Sequence, residues 1–97
     1  MALSKSQYRQ LRTLAHKLKP VVWIGQNGLT DNVLGEIEAA LLYHELIKVK
    51  LRTGDRDEHN NIIESICDRT GAERVQGIGN VVTLYRQNPD TPVIRLV

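Results

Sequence analysis

The 97-residue sequence has no phenylalanine and only one cysteine, Cys67. A single cysteine cannot form a disulfide within the chain, and the isoleucines that precede it at helical spacing indicate a buried thiol. Histidine is also scarce, and His16, His44 and His59 lack the spacing of metal ligands. We therefore expect neither a metal nor a cofactor.

Long hydrophobic runs are absent as well, which argues against a membrane-spanning segment and against an export signal. We expect a cytoplasmic protein with no membrane partner. The composition, 41% hydrophobic and 25% charged, is typical of a globular protein. At this length residues 1–97 are predicted to form a single domain, too small for a deep enzyme pocket.

Aromatic side chains make up only 4% of the sequence and comprise Tyr8, Trp23, Tyr43 and Tyr85. RNA-binding folds that read bases by stacking, such as RRM and OB domains, place several aromatic residues on exposed strands. This chain is poorly equipped for that mode, and we expect Tyr8 and Trp23 to lie in the core. If RNA is bound, its backbone and shape should dominate recognition.

Acidic residues are missing from the first thirty positions, which carry a charge of +5, whereas the other 67 carry eight basic and eleven acidic residues. Such segregation is typical of a protein with a polyanionic partner, although a basic helix that merely faces water is the alternative. Helical spacing predicts a core-facing stripe of Tyr8, Leu11, Leu14, Ala15 and Leu18. The opposite face carries Lys5, Arg9, Arg12, His16 and Lys19.

Hydrophobic periodicity predicts helices over about 4–18, 31–43 and 57–70, and strands over about 21–24, 46–52, 73–78 and 81–87. The first strand is continuously apolar, so we expect it to be covered on both faces. Gly79-Asn80 favours a hairpin between the last two strands. The prediction is an α/β fold of order αβαβαββ with a mixed four-stranded sheet. Residues 88–97 are predicted to form a surface tail.

The segment Gly25-Gln26-Asn27-Gly28 lies between the first strand and the second helix. Glycine lets the backbone approach a ligand closely, and the start of the next helix offers unpaired amides, so a phosphate could bind there. The segment lacks the ending of a P-loop and the third glycine of a dinucleotide-binding motif. It resembles the Gly-x-x-Gly loop with which KH domains bind single-stranded nucleic acid. The alternative is that the two glycines only form a turn between strand and helix.

The strand over 46–52 alternates between apolar residues and the basic residues Lys48, Lys50 and Arg52. These basic side chains either extend a cationic surface or only protect an exposed strand from aggregation. No nucleophile stands beside a base, and no pair of carboxylates occupies a plausible cleft. We therefore do not expect an enzyme.

Several short motifs, taken together and in order, resemble those of the CRM domain (chloroplast RNA splicing and ribosome maturation). The stand-alone bacterial form of this domain is the YhbY family. The motifs are the Leu3-Ser4 helix start, Lys19-Pro20, Trp23 through Thr30, Lys48-Val49-Lys50, Thr70 through Glu73, and Ile78-Gly79 through Leu84-Tyr85-Arg86. The resemblance extends from residue 3 to about residue 87 and is specific because it rests on many motifs rather than one.

The resemblance implies an RNA-binding module similar in fold to the C-terminal domain of translation initiation factor three. It also implies that the family's glycine loop corresponds to Gly25, Gln26, Asn27 and Gly28. The family's basic helical surface corresponds to Lys5, Arg9, Arg12 and Lys19. Many relatives have a lysine directly after the first glycine of the loop, where this sequence has Gln26, so the loop here lacks that local charge.

Bacterial members are associated with precursors of the large ribosomal subunit. We therefore expect a monomeric RNA-binding protein that assists assembly of that subunit by contacting ribosomal RNA. The expected contacts are the loop over Gly25–Gly28, the basic first helix, Lys48 and Lys50. The alternative is an assembly factor that binds ribosomal particles through a protein contact and whose basic face is incidental.

Overall fold

The computed structural model describes residues 3–97 and contains three helices and four strands over that range. The elements are α1 (Lys5–Ala15), β1 (Pro20–Ile24), α2 (Asp31–His44), β2 (Leu46–Leu51), α3 (Arg56–Thr70), β3 (Glu73–Ile78) and β4 (Val81–Tyr85). The predicted order αβαβαββ is confirmed. The longest of these helices has 15 residues, fewer than the roughly 20 apolar residues that cross a bilayer.

Each helix begins at a residue whose side chain accepts a hydrogen bond from an otherwise unpaired amide. Ser4 accepts from the amide of Gln7, Thr30 caps α2 and Asp55 caps α3. α3 ends at Thr70 and is capped by Gly71, which adopts the left-handed conformation at φ 76°. α1 ends at Ala15, earlier than predicted, and residues 16–19 connect it to β1.

The four strands form one sheet in the order β1-β2-β4-β3. β1 and β2 are parallel, whereas β4 pairs antiparallel with both β2 and β3. The predicted mixed four-stranded sheet is therefore confirmed. β1 and β3 are the two edge strands, so each has a neighbour on one side only.

We call the side of the sheet that packs against α2 and α3 the helical face, and the opposite side the open face. The helical face contributes most of the main core, in which strand residues such as Val49 and Leu84 pack with Ile37 of α2 and Ile66 of α3. α1 lies on the open face, where a second cluster is formed by Leu11, Ala15, Leu46, Val75 and Tyr85. Because this cluster occupies one end of the strands, the rest of the open face has no helix over it.

Two predictions about burial were wrong. The first strand is covered on one face only, since Val22 and Ile24 are buried whereas Val21 and Trp23 are exposed. An all-apolar run has no polar residue to mark the solvent side, and α1 packs against the three other strands. Leu14 and Leu18 of the predicted core stripe are also exposed, because the covered part of the sheet is too short to receive them.

The segment after β4 is held by a buried carboxylate. Glu45 lies between α2 and β2, is fully buried and has φ 65°. Its carboxylate accepts hydrogen bonds from the amides of Asn88 (2.6 Å), Val93 (2.7 Å) and Ile94 (2.7 Å). Ile94 and Leu96 pack against the cluster beneath α1. Residues 88–97 therefore run along the surface with their backbone fixed at several points.

We predict that Glu45→Gln lowers the free energy of unfolding by about 2–3 kcal/mol, because hydrogen bonds to a charged acceptor are replaced by weaker or repulsive contacts. Urea denaturation measures this loss, and hydrogen exchange should speed up at the amides of Asn88, Val93 and Ile94. Glu36→Gln, at an exposed position of α2, is the matched control and should change stability by less than about 0.5 kcal/mol. Equal stability of the two variants would contradict the role given to Glu45.

Candidate nucleic-acid interface

Strand pairing arranges the open face into rows that run across the sheet. We call the row farthest from α1 the outer row and the next one the middle row. The outer row consists of Trp23, Lys50, Val81 and Ile78, which are paired in register from β1 to β3. The middle row consists of Pro20, Lys48, Thr83 and Gln76. A third row, which includes Leu46 and Tyr85, lies under α1.

A groove runs between the exposed side of α1 and the open face. One part, of about 490 Å³, is lined by Arg9, Arg12, Thr13, His16, Lys17, Lys48, Gln76 and Ile78. An adjoining part, of about 270 Å³, is lined by Leu18, Lys19, Pro20, Val81 and Thr83 together with the same Lys48, Gln76 and Ile78. Every charged residue that lines the groove is basic. The groove therefore presents a positive potential to any ligand that enters it.

The structure brings together four of the basic residues that the sequence singled out. Arg9 and Arg12 come from α1, Lys19 from the connection to β1, and Lys48 from the middle row. Lys50 lies one row further out and is half-buried. Lys5, in the first turn of α1, is exposed and does not line the groove. The alternation of Lys48 and Lys50 with buried Ile47, Val49 and Leu51 is confirmed.

The glycine loop leaves the sheet beyond the outer row. The amide of Gly28 donates to the carbonyl of Gly25 (3.0 Å), and the amide of Thr30 donates to the carbonyl of Gly28 (3.1 Å). Gly28 has φ 67°, a left-handed conformation that favours glycine. Gln26 and Asn27 are exposed, and within residues 3–97 their amides donate no hydrogen bond. The loop therefore offers free donors, although Asp31 adds a negative charge in the first turn of α2.

The loop and α1 lie at opposite ends of the open face. Leu46, under α1, and Lys50, in the outer row, are four residues apart on β2, which corresponds to about 13 Å. The loop follows Ile24, one residue beyond the outer row on β1. Neither part of the groove is lined by a loop residue. The outer and middle rows are thus the surface that connects the two predicted contact regions.

The apolar part of this surface was not predicted from the sequence. Trp23 is 48% exposed and Ile78 is 67% exposed, and both lie in the outer row. Trp23 was predicted to lie in the core, which is wrong because its partner in the register is Lys50 rather than a core residue. The sequence held no signal for this, because Val21 through Ile24 are all apolar and only their pairing with β2 distinguishes the exposed side chains.

The pKa values of Tyr8 and Cys67 are both raised, which favours the neutral form of each side chain. The Tyr8 hydroxyl lies 3.4 Å from the Glu73 carboxylate, and its pKa is raised by burial and then by that negative charge. Burial, followed by the charge of Glu73, also raises the pKa of the Cys67 thiol. A raised pKa keeps each group protonated at neutral pH, so Cys67 is a weak nucleophile.

Comparison with known proteins identifies the family. Residues 3–86 match the family model described as the CRS1 / YhbY (CRM) domain. A Haemophilus influenzae protein named RNA-binding protein is 48% identical over 91 residues, which cover 94% of this chain and 92% of that protein. A Pseudomonas aeruginosa protein named as a probable RNA-binding protein is 44% identical over 89 residues, covering 92% and 86% of the two chains.

A solved structure has the same fold. The solution structure of a hypothetical protein from Staphylococcus aureus has a TM-score of 0.83 to this chain at 33% sequence identity, and the alignment covers 99% of this chain and 100% of that one. Because the family model and the relatives extend over nearly the whole chain, this protein belongs to the CRS1 / YhbY (CRM) domain family.

Proposed function

We propose that this protein is a non-catalytic RNA-binding protein and that its RNA lies across the open face. The relatives named above as RNA-binding proteins support this assignment of ligand class. The main observation in its favour is the groove, whose lining within residues 3–97 contains basic side chains from α1 and β2 and no acidic side chain. Backbone phosphates are the natural partners of such a surface, and phosphate contacts dominate the affinity of proteins for nucleic acids.

In this proposal the basic residues contact successive phosphates electrostatically. Arg9, Arg12, Lys19 and Lys48 line the groove, and Lys50 continues the positive charge into the outer row. Lys5 extends the same charge along α1. Contacts of this kind carry no base information, so discrimination between sequences through them should be weak.

The glycine loop is proposed to hold one further phosphate. A Cβ added at Gly25 would meet no atom within 4 Å, which means that the backbone there is open to a ligand. The amides of Gln26 and Asn27 are the donors for the phosphate, and Gln26 adds a neutral donor where many relatives have a lysine. We therefore expect the loop to contribute less to affinity than the basic groove.

The proposed RNA is ribosomal RNA in precursors of the large subunit, bound by a cytoplasmic monomer that assists ribosome assembly. The resemblance to the stand-alone bacterial members supports this. A protein contact with the particle is the second candidate, and one observation favours it: Leu42 and Tyr43 of α2 are both exposed, Tyr43 at 77%. These two side chains belong to α2, on the helical side of the sheet, and do not line the groove.

We predict that RNA affinity depends on salt, with a slope of log K against log[salt] of about −3 to −5 for roughly four to six phosphate contacts. In the double variant Arg9→Gln/Arg12→Gln this slope should become less negative by about 2, because two phosphate contacts are lost. Filter binding over a series of salt concentrations measures both values. Arg69→Gln, which removes one exposed positive charge from α3, is the control and should leave the slope unchanged. A flat salt dependence of the unmodified protein would refute the proposed mode of binding.

A second prediction concerns the loop. Gly25→Asp should weaken RNA binding about fivefold or more, because a carboxylate about 4 Å from a phosphate costs at least ~1 kcal/mol. Gly25→Asn introduces a side chain of nearly the same shape as that of aspartate but without the charge. This variant should bind RNA with an affinity within about twofold of the unmodified protein. Both variants should unfold at the same urea concentration, since the site is open and φ there is not positive. Equal affinities of the Asp and Asn variants would exclude a phosphate at Gly25.

The third prediction separates RNA contact from protein contact. In sucrose gradients the protein should sediment with precursors of the large subunit, and Arg9→Gln/Arg12→Gln should strongly reduce this association because two of the proposed phosphate contacts are lost. Leu42→Ser/Tyr43→Ser should leave it intact. The reverse pattern, in which only the α2 variant is released from particles, would establish the protein contact instead.

A further inference from the structure

The outer row of the open face exposes apolar surface that no described segment covers. Trp23 is 48% exposed on an edge strand, and Ile78, at the other end of the same row, is 67% exposed. α1 packs over the row that contains Leu46, two rows away. The segment after β4 packs through Ile94 and Leu96 against the cluster beneath α1 and does not reach the outer row. An indole in this position is available to a ligand.

The surroundings of Trp23 indicate what kind of ligand fits. Its register partner on β2 is Lys50, so a basic residue occupies the neighbouring position in the outer row. The groove with Arg9, Arg12 and Lys48 lies on one side of the row. The free amides of the loop lie on the other side, and Gly25 is two residues from Trp23, about 6–7 Å along the strand. The ligand must therefore combine a flat apolar surface with negative charge on both sides of it.

An unpaired nucleotide has this combination, because its base presents a π face and its phosphates carry the charge. Base stacking on aromatic side chains is a general device of proteins that bind single-stranded nucleic acid, and it tolerates any base. A base inside a duplex is already stacked between its neighbours and cannot reach the indole. Stacking at Trp23 would therefore select single-stranded RNA.

We propose that Trp23 stacks an unpaired base of the RNA that crosses the open face, so that the bound segment is single-stranded at the outer row. This inference rests on the proposed RNA binding and adds the class of RNA to it. The stacked base occupies the space above Trp23, and its flanking phosphates contact Lys50 on one side and the loop amides on the other. Val81 and Ile78, on the far side of Lys50 in the same row, offer a second apolar surface for another base.

Because Trp23 is the only tryptophan in the chain, its fluorescence reports directly on this contact. The full chain is titrated with a single-stranded RNA of about 12 nucleotides and with a blunt RNA duplex of equal length. We expect the single strand to quench the fluorescence and to saturate at the Kd found by filter binding. The duplex should bind through its phosphates with a similar salt slope but without quenching.

Variants of Trp23 measure the contribution of stacking to affinity. Trp23→Leu keeps an apolar side chain without a π face and should weaken single-strand binding about 5- to 100-fold, whereas the affinity for duplex should stay within about twofold. Trp23→Phe should recover most of the loss. Tyr43→Leu, which removes an exposed aromatic ring from α2, is the matched control and should change neither affinity. Circular dichroism and urea denaturation verify that each variant is folded.

The outcomes distinguish this inference from the proposed function. If RNA binding keeps its salt slope but Trp23 is not quenched and Trp23→Leu binds equally well, the base contact is refuted and phosphate binding stands. If Trp23→Leu weakens association with ribosomal particles but not with naked RNA, the outer row binds a protein and the inference is likewise refuted. If the chain binds no RNA at all, both proposals are refuted.

Discussion

The register between β1 and β2 is the constraint on which the rest of the surface depends. Val22 pairs with Val49 and Ile24 with Leu51, and these four side chains enter the core beneath α2 and α3. The residue between them on each strand must then point to the open face, which exposes Trp23 next to Lys50. A slip of β2 by one residue would turn Lys48 and Lys50 toward the core, so burial of Ile47, Val49 and Leu51 maintains the register.

The position of α1 determines how much of the open face remains available to a ligand. The helix covers only the end of the sheet that contains Leu46 and Tyr85, and its basic side then becomes one wall of the groove. The segment after β4 supports this arrangement, since Gln10 of α1 exchanges two hydrogen bonds with the backbone at Arg95 and Val97. Glu45 fixes the same segment from below through three amides. A buried carboxylate outside the groove therefore helps to hold the helix that forms its wall.

Much of the fold could be predicted from local signals. Capping residues and hydrophobic periodicity placed three helices and four strands within a few residues of their observed bounds, and Gly71 and Gly79 marked a helix end and a hairpin. Such features depend on neighbours in the sequence, which is why they could be found without a structure. The side of the first strand that faces solvent could not be predicted, because Val21 through Ile24 are all apolar and only their pairing with β2 distinguishes them.

By itself the sequence determined the order of elements, the concentration of positive charge in the first thirty residues and the open loop at Gly25. The family to which the chain belongs was also evident from its motifs. Only the tertiary structure decided that Arg12 and Lys48, 36 positions apart in the sequence, line one groove and that Trp23 is exposed beside it. The physical reason is that burial and proximity follow from how strands pair and from how far a helix extends over a sheet, and neither is encoded within a single segment.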